Sequence, residues 1–179
     1  MFAFIIPIGV SYILKPPISN ESISISPPGS LDCKFHINSG NTYNLEFNFR
    51  GDGYTDPVST NGGVPIPVYL EIYSLTNEKY IFQGELITKG SFGSSQGYAM
   101  RNIKSIWLKP GNYKLSMYIV KDVPEFTNFK THIAMKLSQI TYENYYFASI
   151  FIPFLLIITD IIFVIFFIIR SVKLKKLIE

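Results

Sequence analysis

Cysteine, tryptophan and histidine are scarce: the 179 residues hold one Cys, one Trp and two His. A lone Cys33 can close no internal disulfide, so any fold has to rest on an apolar core. Leu31, Cys33 and Phe35 alternate with polar neighbours, which puts the thiol on an inward face as a small hydrophobe; no small-residue lipobox precedes it. His36 and His132 fall at polar or mixed parity with no Cys or His at ligand spacing, so no metal is expected. A Gly-x-Ser-x-Gly elbow, a phosphate loop and a dinucleotide fingerprint are missing as well. The expectation is a protein that is not an enzyme and carries no cofactor.

Also lacking is any excess of charge over the middle of the chain. Residues 18–146 hold 11 Lys plus Arg and 11 Asp plus Glu, and these cancel. The net charge of +3 comes from Lys15, Arg170, Lys173, Lys175 and Lys176 set against Asp160 and Glu179. The basic pI therefore belongs to the flanks and not to a surface patch, which argues against a nucleic-acid partner.

What the chain has in abundance is one apolar run. Of the 23 residues 147–169, 18 are Leu, Ile, Phe or Val. At about 1.5 Å of rise per residue, a helix of that length crosses a hydrocarbon core about 30 Å thick. Each strongly apolar residue favours insertion by roughly 0.3–0.6 kcal/mol, which together outweighs a cost of about 2.5–3.5 kcal/mol for the central Asp160. The run is also too long, and too apolar on every side, for the core helix of a soluble domain.

Orientation follows from the flanks. Arg170, Lys173, Lys175 and Lys176 sit directly after the run, whereas Tyr142, Tyr145 and Tyr146 precede it with Glu143 as the only charge. Basic segments stay in the cytoplasm and tyrosine prefers the interface, so residues 170–179 read as a cytoplasmic tail and the main domain as extracytoplasmic. The expected setting is a cell membrane, of bacterial inner-membrane type, with a periplasmic domain. Residues 1–15 are apolar but short, contain Pro7 and lack a basic start or a cleavage pattern. An uncleaved signal anchor, forming a short helix, and a signal peptide both suit that length.

Between the apolar ends, about 130 residues suffice for one domain, 18–142. Its pattern has period two. Leu31, Cys33, Phe35 and Ile37 alternate with polar residues, then Tyr43, Leu45, Phe47 and Phe49 do so after the turn residues 38–41. The alternation returns over 64–72, 113–120 and 133–137, with weaker strands over 22–26, 80–88 and 103–108. Pro65 and Pro67 cannot donate to a ladder, which predicts an edge strand or one whose pairing begins only after Pro67. About eight strands with no βαβ alternation predict an all-β, immunoglobulin-like antiparallel sandwich followed by one C-terminal transmembrane helix. Pro110-Gly111 makes a turn, and Tyr113 two residues on is placed to fold its hydroxyl back onto the upstream backbone, as a tyrosine corner does.

Three connections look long: 50–63, 89–97 and 121–130. Loops of that length are functional or disordered more often than not. If the domain recognises a protein, Tyr54, Phe92, Tyr98 and Phe126 are the aromatic anchors expected to touch it. The plainer alternative is that these rings pack over the ends of the sandwich. Arg50-Gly-Asp52 is too short to carry an adhesion reading. Asp52 and Asp56 lack the closing Glu of a calcium loop, since Gly63 stands at that place.

The stretches Gly63-Val-Pro-Ile-Pro-Val-Tyr-Leu-Glu-Ile72 and Leu108-Lys-Pro-Gly-Asn-Tyr113 resemble an uncharacterised family of small bacterial exported β-sandwich domains, over about residues 30–141. The resemblance implies an envelope location and a non-catalytic fold, and brings no active residues. It further implies, through the occurrence of such domains near toxin genes, an immunity role.

Asp160 lies near the middle of the apolar run, where acids usually face a protein or water rather than lipid. Helical spacing puts Pro153 and Leu156 or Ile157 on its face. The stripe Pro153, Ile157 and Asp160 could dock the N-terminal segment, a second copy in a homo-oligomer, or another protein; a protonated Asp160 tolerated in lipid is the alternative. Two functions follow: an anchored binding protein of immunity type, or an accessory subunit assembled through this helix.

Overall fold

A computed structural model of the chain describes residues 15–50, 63–88, 90, 92–95 and 98–175. The chain divides into two compact units, one covering residues 15–138 and the other holding the C-terminal helix.

The first unit is an antiparallel sandwich. Its strands are β1 (Ile18–Ile23), β2 (Ser30–Ile37), β3 (Asn41–Arg50), β4 (Ile66–Ser74), β5 (Lys79–Thr88), β6 (Phe92–Ser95), β7 (Tyr98–Leu108), β8 (Gly111–Ile119) and β9 (Lys130–Leu137). One sheet has the order β1-β9-β3-β7-β6 and the other β2-β8-β4-β5. The period-two pattern sets which face is inside. On β3 and β4, Tyr43, Leu45, Phe47, Ile66, Val68, Leu70 and Ile72 are almost wholly buried, and β8 adds Tyr113, Leu115 and Met117 to the same core. Burial on this scale, at about 25 cal/mol per Å² of apolar surface, is what holds a fold without a disulfide.

Three features depart from the pattern expectations. β4 pairs with both β5 and β8, so it is a central strand and not an edge. Its ladder to β8 begins at Val68, one residue after Pro67, whose carbonyl accepts from the Val120 amide at 3.0 Å. Pro67 is accommodated because the missing donor lies where the ladder has not started. β7 starts at Tyr98, well before the weak signal at Ile103, because a register shift between Leu45 and Glu46 inserts Ile103 as an extra residue and breaks the alternation. The ninth strand, β6, lies within a stretch that reads as a Gly/Ser-rich loop; its hydrogen bonds to β7, and not its composition, make it a strand.

Two connections cross from one sheet to the other at the same end: residues 38–40 join β2 to β3, and residues 109–110 join β7 to β8. Each is braced by a tyrosine from the strand that follows. The Tyr43 hydroxyl donates to the Ser39 carbonyl and the Tyr113 hydroxyl to the Lys109 carbonyl, both at 2.8 Å. Burial pushes the Tyr113 phenol above its ordinary pKa, keeping it protonated as a donor. Gly111 is required here: its φ is +151°, and a Cβ would meet the Thr76 hydroxyl at 2.9 Å.

The second unit contains helix α1, Gln139–Lys175. It starts before the apolar run because residues 139–146 hold no breaker; Gln139 donates to Glu143 at 3.0 Å and Tyr142 stacks on Tyr146 one turn on. Residues 139–171 are long and apolar enough to cross a membrane, and none of the most apolar window is buried within the protein. Pro153 lies inside the helix, as membrane-spanning helices tolerate.

Candidate functional site

Antiparallel strands give the sandwich two distinct ends, and the strand order decides what each carries. One end holds the short turns 38–40, 75–78 and 109–110, the start of β1 and the exit at Ser138, whose amide donates to the Thr42 carbonyl at 3.0 Å. From the other end depart the connections β1–β2, β3–β4, β5–β6, β6–β7 and β8–β9. All three long connections therefore leave from the end opposite both chain flanks. This loop-bearing end is the candidate functional site.

Its described part is well tied. Residues 24–29 fold back on themselves, with Gly29 donating to the Ser24 carbonyl at 2.9 Å and the Ser24 hydroxyl donating to the Pro27 carbonyl at 2.6 Å. A Cβ on Gly29 would lie 3.0 Å from that Ser24 oxygen, so a larger residue there would crowd the turn. The Thr127 hydroxyl donates to the Ser26 hydroxyl at 3.1 Å, joining this turn to the 3-10 helix Pro124–Phe126. Lys121, Asp122, Glu125 and Lys130 are exposed around it.

Beneath them lies a feature that periodicity could not indicate. Arg101 is fully buried, on the inward parity opposite Phe47. Its guanidinium carbon lies 5.8 Å from the Phe49 ring centroid and 5.7 Å from that of Phe126, and Nη1 donates to the Val64 carbonyl. Phe126 is 1% exposed and packs on Phe49 at 5.1 Å and on Phe129 at 5.8 Å. It is thus no exposed anchor: of the two readings of the loop aromatics, packing over the sandwich end is the one that holds for Phe126. Among the other candidates, Phe92 begins β6 and Tyr98 begins β7 opposite Arg50, while Tyr54 lies outside the described residues, as do Asp52 and Asp56.

Cys33 has inward parity on β2 but is only half-buried. Burial pushes its thiol up to about 11, with Glu21 and Asp32 adding to the shift, so it stays protonated and is no nucleophile at neutral pH. His36 Nδ1 lies 2.7 Å from Asn112 Oδ1 and His132 Nδ1 lies 3.3 Å from the Ser22 hydroxyl. Among the described residues no three His, Cys, Asp or Glu side chains gather as a metal site would require.

On α1, Pro153, Ile157 and Asp160 lie along one helical stripe; Ile157 and Asp160 are exposed and Pro153 is partly covered. Arg170, Lys173 and Lys175 fall in its last turns, and Lys176 lies outside the described residues.

The family model described as a domain of unknown function (DUF5625) matches residues 22–137, the sandwich from β1 to β9. None of the curated proteins matches the chain. Among solved structures, a crystal structure of a protein from Sulfurospirillum deleyianum is similar, with a TM-score of 0.56 and 15% identity over 68% of this chain and 97% of that one. At that identity the likeness concerns the fold alone.

Proposed function

The chain belongs to the family described as a domain of unknown function (DUF5625), and from that premise we propose a membrane-anchored, non-catalytic binding domain that presents its loop-bearing end to a partner protein outside the cytoplasm. One observation carries the reading: both chain flanks attach at the end with the short turns, and every long connection departs from the other. A domain held by its flanks offers that second end to soluble partners. The charged residues Lys121, Asp122, Glu125 and Lys130 are exposed along its β8–β9 connection, above the packed rings of Phe49 and Phe126. The basic residues after the apolar run favour a cytoplasmic C-terminus, which leaves the sandwich extracytoplasmic. An immunity role, neutralising an incoming toxin at the envelope, fits such a domain.

The test is capture of partners by the full chain in its native membrane, compared with Asp122→Lys/Glu125→Lys and with a chain whose helix is replaced by an unrelated span. Loss of the partner with the loop variant alone supports the reading. Retention by the loop variant, with loss on helix replacement, overturns it in favour of an accessory subunit assembled through α1. That second reading draws on the placement of Asp160 and Pro153 on one helix face.

A further inference from the structure

The end of the sandwich opposite the loops has a surface of its own. Trp107, the only tryptophan in the chain, is 57% exposed there. Its ring lies over the inter-sheet turn, 3.9 Å from where a Cβ on Gly40 would stand, beside Pro110. Leu75, on the neighbouring turn, is 40% exposed. Lys15, Lys79 and Lys109 are exposed at the same end, where Glu78 is the acid on the turns.

These groups sit on a braced support and not on slack loops. Besides the two tyrosine corners, the Asn112 amide donates to the Thr76 hydroxyl at 3.1 Å and the Leu75 amide donates to the Asn112 carbonyl at 2.9 Å. The turns 75–78 and 109–110 are thereby joined.

We infer that this end rests on the headgroup layer of the bilayer, with Trp107 and Leu75 at the interface and Lys79 and Lys109 against lipid phosphates. The occupant follows from chain length and from the residue types. Only residues 139–146 separate Ser138 from the apolar run; as helix they rise about 12 Å, against roughly 5–8 Å for the headgroup layer on one side of a bilayer, so the connection is short on the scale of that layer. The apolar stretch before Lys15 joins the chain at this same end, through β1. Tryptophan, with an apolar body and a polar N–H, prefers the membrane interface, and the lysines beside it suit lipid phosphates, which either leaflet presents, better than an apolar protein face. The inference depends on α1 spanning the membrane, as proposed above.

Because Trp107 is unique, its fluorescence reports on the surface directly. The full-length protein is reconstituted into phosphatidylcholine/phosphatidylglycerol vesicles, with and without lipids brominated high on the acyl chain, and washed with alkaline carbonate. Loss of Trp107 emission in the brominated vesicles, with weak quenching by aqueous iodide, is the expected result. Lys79→Glu/Lys109→Glu should restore iodide quenching and weaken bromine quenching while leaving the far-UV circular dichroism unchanged. Two outcomes overturn the inference: iodide quenching without bromine quenching places Trp107 in water, and resistance to both quenchers places it under protein. Release of the protein by the carbonate wash removes the membrane-spanning premise itself and so marks a different failure.

Discussion

Tyr113 reaches back across one turn to Lys109, its hydroxyl 2.8 Å from the carbonyl, and Tyr43 repeats the relationship with Ser39 at the same distance. Both bonds span four residues, and both brace a connection that passes between sheets. The two short arches are therefore held from inside, which lets that end of the sandwich stay rigid without a disulfide.

Tyr113→Phe and Tyr43→Phe should each lower stability by about 1 kcal/mol, the net worth of one hydrogen bond with the ring kept in place. Urea unfolding of the released domain, or thermal unfolding of the full chain in detergent, measures it. A loss confined to Tyr113 would show that the second arch needs no brace.

Phe126→Ala should cost about 3–5 kcal/mol, as expected for a buried aromatic whose removal leaves a cavity. Arg101→Ala should cost about 3 kcal/mol, and Arg101→Lys should recover little, since a lysine cannot reproduce the flat guanidinium between two rings. An unfolding midpoint unchanged by Phe126→Ala would return that ring to the list of exposed contact residues.

Cys33 should react with iodoacetamide along a pH profile centred near 11 and not near the ordinary thiol value of 9.0. The folded state keeps its proton where the unfolded chain releases it. The associated stability is therefore complete below the unfolded value and declines as pH rises from 9.0 towards 11. A profile centred near the ordinary value would mean that the thiol is solvated.

Asp160→Leu should leave α1 inserted, because removing the acid only makes the run more apolar. If the stripe with Pro153 and Ile157 docks another helix, the complex in mild detergent becomes smaller. An unchanged size would exclude docking through Asp160.

The legible part of this molecule is whatever depends on near neighbours. Alternation over Leu31 to Ile37 and Tyr43 to Phe49 announced strands and their inward faces, because successive side chains on a strand point to opposite sides. Pro110-Gly111 ahead of Tyr113 announced the corner, since every atom of that device lies within five residues. Tyr43 carries the same device but lacks the Pro-Gly signal, so the pattern passed it by. The composition of residues 147–169 alone specified a helix long and apolar enough to span a membrane, because lipid compatibility depends on residue type and length.

What had to wait for the tertiary structure is whatever joins distant residues. Arg101 reads as an ordinary surface charge until the extra residue at Ile103 shifts the register and turns it inward between Phe49 and Phe126. The edge role considered for β4 failed for a related reason: which strands flank it is set by partners dozens of residues away, and Pro67 constrains only its own ladder position. Most consequential for function, strand order alone gathered the long connections at one end and left Trp107 with both chain flanks at the other. Local preference chooses strand or helix one segment at a time, whereas the ends of a sandwich are assigned only when all the strands have paired.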